Sequence, residues 1–238
     1  MYVDYQASYN DSAIMMDMSS EAERTMTLTK QFKGLELSQP VRLLEARSDC
    51  AVLQATDKTL VPLLDGAVFL RSKAFSTSIV GQVKNMNYVD GIFHLADFSI
   101  QDWKERQSER VQPRDPVYVT LHWRNKEARV CMEDISAIGM GVFAGSEVGR
   151  LIHIQPGLGV HLEFDLAETS FENLEGRILY RQRVGQYVDK LGLRLFPSGK
   201  QRRILDQYVT QRRREILEEI GEIYLRSREP RGIQSQYF

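Results

Sequence analysis

The sequence contains few residues that could cross-link the chain. Among 238 residues only Cys50 and Cys131 are cysteines, and they lie far apart, without a C-x-x-C pair or a nearby histidine. This pattern predicts neither a disulfide framework nor a zinc site. A reducing cytoplasm is the compartment that such cysteine usage fits best.

Long apolar runs are also missing. The sequence has no continuous stretch of about 18 apolar residues, the length that a membrane-spanning helix needs. Its N-terminal residues have neither a basic start nor a continuous apolar segment, so they do not resemble a secretory signal. We therefore expect a cytoplasmic protein that does not span a membrane.

Charge of one sign is not in excess. The formal net charge is −1, which does not favour a nucleic-acid partner, and aromatic residues interleaved with cations on one face are not evident. Arginine nevertheless supplies 22 of the 31 cations. Because the planar arginine fork binds phosphates and guanine edges through paired hydrogen bonds, the location of the arginines matters more than their number.

Residues with the spacing of a catalytic or metal site are lacking as well. The segment at 145–149, GSEVG, does not match the G-x-S-x-G nucleophile motif. No histidine has a cysteine or carboxylate at metal-ligand spacing; the four histidines are His94, His122, His153 and His161. The sequence therefore predicts a protein that is not an enzyme and needs no metal or cofactor.

What the sequence does contain is two stretches with the period-two alternation of β-strands. Residues 1–29 are polar and Met-rich, and we interpret them as a flexible tail. Short β-like runs separated by Ser, Asp, Gly and Asn follow over 30–100, which predicts a small antiparallel barrel. Residues 101–114 lose the alternation and carry seven charges, which is typical of a linker.

The alternation then restarts. In VHLEFDL, for example, Val160, Leu162 and Phe164 fall on one face, as a half-buried antiparallel strand requires. Residues 115–226 are thus predicted to form a second barrel that ends in an α-helix from about 200, and 227–238 a flexible tail. The fold class expected is all-β: two small antiparallel β-barrels joined by a charged linker, with a C-terminal α-helix.

The predicted helix has an apolar stripe that is interrupted at Arg212–Arg214. Ile204 and Leu205 lie before the interruption, and Ile216 and Ile220 lie after it, all at helical spacing. We expect the first half to pack on the second barrel. The second half is then available to a partner protein or to another copy of the chain.

Two short motifs lie where the second barrel begins. R-x-x-x-R occurs three times, at 106–110, 110–114 and 177–181, so the spacing alone is uninformative. The first two copies lie in the charged linker, where no core needs them, whereas Arg177, Arg181 and Arg183 suit the solvated face of a strand that adds positive potential near the site. D-x-S-x-x-G follows at 134–139.

Together these residues suit a guanine nucleotide. An arginine fork can donate to guanine O6 and N7 or bind a phosphate, while Asp134 can accept from N1–H and the N2 amino group. Ser136 can donate or accept, and Gly139 allows close approach and a positive φ. The alternative is a β-turn in which Asp134 and Ser136 cap backbone amides and Gly139 is left-handed.

RQSERV, EDISAIGMGVF, EGRILYR and LGLRLF, followed by a terminal helix, resemble a PilZ domain, the bacterial receptor module for cyclic di-GMP, over about residues 104–212. The resemblance implies that the arginine pair and D-x-S-x-x-G bind the dinucleotide. Since the second arginine of the family directly precedes Val or Ile, the pair is Arg106 and Arg110. The full expected set is Arg106, Arg110, Asp134, Ser136 and Gly139, with Arg114 and Gly141 as additional candidates.

The first barrel is similar in placement to that of flagellar-brake-type members, although none of its residues carries a signature. One departure is Glu105, where many members have another arginine; its charge is expected to weaken affinity or to favour one bound dinucleotide over an intercalated pair. The resemblance implies a role in motility or biofilm regulation. The expected function is a receptor whose interdomain arrangement changes on binding cyclic di-GMP and which signals to a protein partner. The alternative is a PilZ-like interaction scaffold that binds no nucleotide.

Overall fold

A computed structural model describes residues 25–47, 49–71, 78–101, 108–145 and 154–228. These residues fall into two compact units. The first unit holds the first barrel and the helix from Leu217 onward. The second unit holds the second barrel, the turn residues Lys33–Leu35 and the helix up to Ile216.

The first barrel is a closed antiparallel sheet with the strand order β1-β2-β3-β6-β5-β4. Its strands are β1 (Thr25–Phe32), β2 (Leu35–Ala46), β3 (Ala51–Ala55), β4 (Ala67–Arg71), β5 (Ser78–Asn87) and β6 (Ile92–Gln101), with a 3₁₀ helix at Lys58–Leu63. Alternate residues of β2 are buried, which is the pattern that a strand with one solvated face requires. The side chains inside include Met26, Leu28, Val41, Leu53, Phe93 and Leu95.

The second barrel is also closed, with the strand order β10-β11-β12-β9-β8-β7. Its strands are β7 (Tyr118–Trp123), β8 (Lys126–Ile135), β9 (Gly139–Gly145), β10 (Gly159–Leu166), β11 (Thr169–Gly185) and β12 (Val188–Leu195). β11 and β12 form the predicted hairpin. Closure leaves no unpaired sheet edge. β10 alternates between exposed and buried residues, whereas most of β9 is buried on both faces.

The C-terminal helix, α1 (Gly199–Arg228), keeps one buried face along most of its length. The sequence suggested that Arg212 interrupts the buried stripe. In the structure it does not, because the residue is only 4% exposed. Ile216 and Ile220 are buried as well. The buried stripe thus continues as far as Ile220. In the second half of the helix, Leu217 and Leu225 are exposed.

The predicted fold class is confirmed: two six-stranded antiparallel barrels and one C-terminal helix. One strand starts earlier than the sequence indicated, since β1 begins at Thr25, inside the segment interpreted as a tail. Across the ranges that the structure describes, no helix combines the length and hydropathy needed to cross a membrane.

Candidate functional site

The segment that carries Arg110 is attached to the second barrel through its backbone. Val111 and Ile135 exchange two backbone hydrogen bonds of 2.9 Å, which form an isolated antiparallel bridge. The amide of Gln112 donates to the carbonyl of Lys33 at 2.8 Å. These bonds place Arg110 beside the end of β8, although it lies well before that strand in the sequence.

Helix α1 supports the same segment from its other side. Arg212 Nε donates to the carbonyl of Gln112 at 3.1 Å, and Arg212 Nη1 donates to Glu215 at 2.9 Å. Arg213 forms an ion pair of 3.1 Å with Glu109, the residue before Arg110. The helix therefore helps to position the arginine, which explains why a buried arginine is tolerated within the apolar stripe.

At the centre of the site is an ion pair between two of the residues that the sequence singled out. Arg110 Nη1 donates to Asp134 Oδ1 at 2.9 Å, and the two side chains are 20% and 7% exposed. The same Oδ1 accepts the backbone N–H of Gly141 at 3.0 Å. Asp134 thus fastens the linker segment to the barrel and caps a strand amide at the same time.

A local irregularity of β8 puts Asp134 in this position. The pairing of β8 with β9 shifts register between Met132 and Asp134, so Asp134 lies opposite Gly141. A Cβ on Gly141 would lie 3.0 Å from Asp134 Oδ1 and 2.9 Å from Glu133 Oε2. Gly141 therefore belongs to the site as the residue whose missing side chain makes room for the carboxylates.

Ser136 serves the turn between β8 and β9. Its side chain is fully buried; the hydroxyl donates to the carbonyl of Gly139 at 3.1 Å and accepts from the amide of Ile138 at 3.4 Å. Its amide donates to the same carbonyl at 2.8 Å. These are the backbone-capping contacts of the turn interpretation, and they hold Asp134 and Gly139 in place on either side.

Gly139 does not adopt the left-handed conformation that the turn alternative requires, because it is not among the glycines with positive φ. What the position requires is space. A Cβ there would lie 3.0 Å from Arg110 Nη2 and 3.3 Å from the carbonyl oxygen of Leu193. Gly139 thus lets the guanidinium of Arg110 approach the strand closely.

The strand register adds residues that motif analysis missed. Asp134 pairs with Gly141, Gly141 with Gly192, and Gly192 with Tyr180, so these four form one row on the outer face of the barrel. A Cβ on Gly192 would overlap the ring of Tyr180. Tyr180 is 39% exposed and presents an aromatic surface in the row that begins with Asp134. No sequence signal indicated it, because strict alternation in RILYRQR places Tyr180 on the face opposite to Arg177 and Arg181; the register shift between Ile178 and Tyr180 turns it outward.

Arg106 lies outside the described residues, as does Glu105. The additional candidate Arg114 does not join this group, because it is exposed and lines a different cleft, together with Tyr208 and Arg212. Burial raises the pKa of the Tyr208 hydroxyl in that cleft.

The third R-x-x-x-R, Arg177 and Arg181, lies within β11. A register shift between Ile178 and Tyr180 separates its two arginines. Arg181, and Arg183 beyond it, hydrogen-bond to the buried Asp189 rather than forming only a solvated face. Burial raises the pKa of the Asp189 carboxyl, but the hydrogen bonds and charges of the two arginines outweigh it, so the pKa lies below its usual value.

The described ranges contain no candidate metal site, since no three His, Cys, Asp or Glu side chains in them are arranged to hold an ion. What the outer face offers instead is a guanidinium, a carboxylate, a tyrosine ring and three glycines that leave the strand backbones uncovered. Such a surface suits a flat polar ligand that carries negative charge.

No protein-family model and no curated protein matches the chain. Among solved structures, the chain is similar to YcgR from Escherichia coli in complex with c-di-GMP, with 15% identity, a TM-score of 0.45 and coverage of 90% of this chain and 93% of that one.

A second similar structure is the MrkH–c-di-GMP complex of K. pneumoniae, with 12% identity, a TM-score of 0.49 and coverage of 87% and 95%. A third is the PilZ domain of E. coli YcgR with c-di-GMP, with 18% identity and a TM-score of 0.40. It covers 49% of this chain and 97% of that chain.

Proposed function

We propose that the chain is a non-enzymatic receptor of the PilZ type that binds cyclic di-GMP on the outer face of its second barrel. The observation that carries the proposal is the pairing of Arg110 with Asp134 over Gly139. It brings the second arginine of R-x-x-x-R to the acid of D-x-S-x-x-G, which lies 24 residues later in the sequence.

Arg110 is the principal ligand group of the proposed site. A guanidinium has five N–H donors, and the described hydrogen bonds of Arg110 use one of them, on Asp134. The remaining donors can bind guanine O6 and N7 or a phosphate oxygen. Since Asp134 and Gly139 already orient the group, little side-chain entropy is lost on binding.

Asp134 supplies the acceptor that distinguishes guanine from adenine. Its Oδ1 is engaged by Arg110 and the Gly141 amide, so the other oxygen is the one to accept from N1–H and the N2 amino group of a guanine. Adenine has no donor at N1. Tyr180, in the same row, offers its ring to a stacked base, while Ser136 acts through the turn, because it is fully buried.

Calorimetry with the full chain tests the proposal directly. We expect saturable heat with cyclic di-GMP and much weaker binding of cyclic di-AMP and of GMP. Arg110→Ala should lose most of the affinity and remain folded, with a lower melting temperature because the buried Asp134 carboxylate loses its ion-pair partner. Arg129→Ala is the matched control, since Arg129 is an exposed strand arginine of the same barrel that packs over Tyr118. Absence of heat and of a thermal shift at micromolar ligand would favour the scaffold alternative.

The proposed output is a change in the arrangement of the two barrels that a cytoplasmic protein effector recognises. Arg110 is already bonded to Asp134 of the second barrel, so a ligand held by Arg106 as well would restrain the part of the linker before it. Such a shift cannot exceed the difference in ligand affinity between the two arrangements. Small-angle scattering should then show a changed interdomain distance distribution with cyclic di-GMP, reduced in Arg106→Ala; superimposable curves would exclude this output.

A further inference from the structure

Beside the proposed site, two arginines lie directly opposite each other. Arg177 of β11 pairs with Arg194 of β12 in the strand register. Their neighbours Ile178, Leu193 and Leu195 are buried, whereas both arginines are exposed. Both guanidinium groups therefore project from the outer face of the barrel.

This arrangement is unfavourable for the protein alone. Like charges directly opposite on neighbouring strands repel each other, and no ion pair joins either arginine to a carboxylate of the described residues. What the two share is an aromatic ring: their Cζ atoms lie 5.9 Å and 5.8 Å from the centroid of Phe196, which is 44% exposed. These cation–π contacts bring the two guanidinium groups to the same ring but leave their positive charges unneutralised.

The pair is next to the proposed site on the same face. Arg194 pairs with Gly139 in the register of β9 and β12, and the side-chain direction of Gly139 points at Arg110 Nη2, 3.0 Å from where a Cβ would lie. Gly139, Arg194 and Arg177 thus form a row parallel to the row of Asp134 and Tyr180. An anion bound over Gly139 would meet Arg110 on one side and Arg194 on the other.

We propose that Arg177, Arg194 and Phe196 form a second subsite, which binds a phosphodiester group of the cyclic dinucleotide. The inference rests on the proposed function and extends it. Asp134 neutralises Arg110, so that pair adds no net charge, whereas Arg177 and Arg194 supply two positive charges. A cyclic dinucleotide carries two negative charges, one on each phosphate, and the ligand thereby relieves the repulsion between the arginines.

The test is calorimetry of Arg177→Ala and Arg194→Ala with cyclic di-GMP at two salt concentrations, with Arg129→Ala as control. Each site variant should bind about tenfold more weakly, and its affinity should depend less on salt than that of the wild type. Arg194→Lys should recover part of the loss. The melting temperature of the free variants should stay the same or rise, because removing one arginine removes a repulsion.

The outcomes separate the two proposals. If the wild type binds and Arg110→Ala does not, while both arginine variants bind like Arg129→Ala, the second subsite is excluded and the proposed function stands. If the wild type itself does not bind cyclic di-GMP, the proposed function fails and the subsite with it. A fall in melting temperature together with a matching loss of affinity would assign these arginines a structural role instead.

Discussion

Asp134 and Asp189 of the second barrel are almost equally buried, at 5% and 6% exposure, and both accept hydrogen bonds from arginine. Asp189 bonds to Arg181 and Arg183, which are 8 and 6 residues away within one hairpin. Asp134 bonds to Arg110, which is 24 residues away, on a segment that precedes the barrel.

The difference shows that burial and charge pairing alone do not indicate a functional residue. Each oxygen of Asp189 receives an arginine, and the bonds stabilise one end of a hairpin. Among the described residues, only one oxygen of Asp134 accepts hydrogen bonds, from the Arg110 guanidinium and the Gly141 amide. The Arg110–Asp134 pair lies on a face made of glycines and a tyrosine. A carboxylate with an oxygen to spare, next to uncovered backbone, is the one suited to a ligand.

Replacing Arg110 of the Asp134 pair or Arg181 of the Asp189 pair by alanine should give the largest difference in ligand affinity. Arg110→Ala removes a charge-assisted ligand contact worth about 1.5–3 kcal/mol, which weakens cyclic di-GMP binding by about one to two decades. Arg181→Ala should leave affinity within about a factor of two, because the guanidinium of Arg181 is engaged by Asp189. Titration calorimetry of both variants measures the contrast, and equal losses would contradict it.

Asp189→Asn should affect stability rather than binding. It removes the charge that two arginines share, at a cost of about 1–3 kcal/mol in the free energy of unfolding at neutral pH. Urea denaturation, with cyclic di-GMP affinity measured alongside, tests the expectation.

The pH dependence of Asp189→Asn provides a second check. Because the folded pKa of Asp189 is lowered, its contribution is present above the unfolded value of about 3.9 and is lost as the pH falls through the folded pKa. The stability difference between wild type and variant should therefore shrink in strong acid. A constant difference down to the lowest pH would show that the carboxylate charge is not responsible.

Gly139→Ala should weaken binding by about three- to tenfold, less than Arg110→Ala, because the added methyl group displaces the guanidinium without removing it. Gly145→Ala is the matched control: both glycines belong to β9, and a Cβ on Gly145 would meet nothing within 4 Å. Calorimetry and thermal melting of both variants make the comparison. A Gly139→Ala variant that binds like the control would show that Arg110 does not need this space.

Ser136→Ala should have the smallest effect on ligand binding, about threefold at most, with a loss of about 1 kcal/mol of stability from the turn hydrogen bonds. Asp134→Ala provides the comparison, since it should weaken binding more and reduce the preference for cyclic di-GMP over cyclic di-AMP. A larger loss of affinity in Ser136→Ala than in Asp134→Ala would indicate a direct ligand contact by the hydroxyl.

Several features of the fold could be predicted from local patterns. Alternation along VHLEFDL and helical spacing after residue 200 indicated β10 and α1, because period determines which side chains share a face. β1 was missed, although Met26 and Leu28 alternate with threonines, since the run is short and follows a polar segment. Arg212 was taken as a break in the helix stripe because its acceptor, the carbonyl of Gln112, lies 100 residues away.

The sequence by itself determined the residue types of the candidate site and their order: an arginine before the first strand of the second barrel, an acid near the end of the next strand, and a glycine after the turn. The tertiary structure alone decided which of them meet. Barrel closure and the register shifts at Asp134 and Tyr180 set the pairing of strands, and pairing depends on hydrogen bonds between residues distant in the chain. For that reason Arg110 lies beside Asp134, and Arg194 and Tyr180 join the same face, although no local pattern connects them.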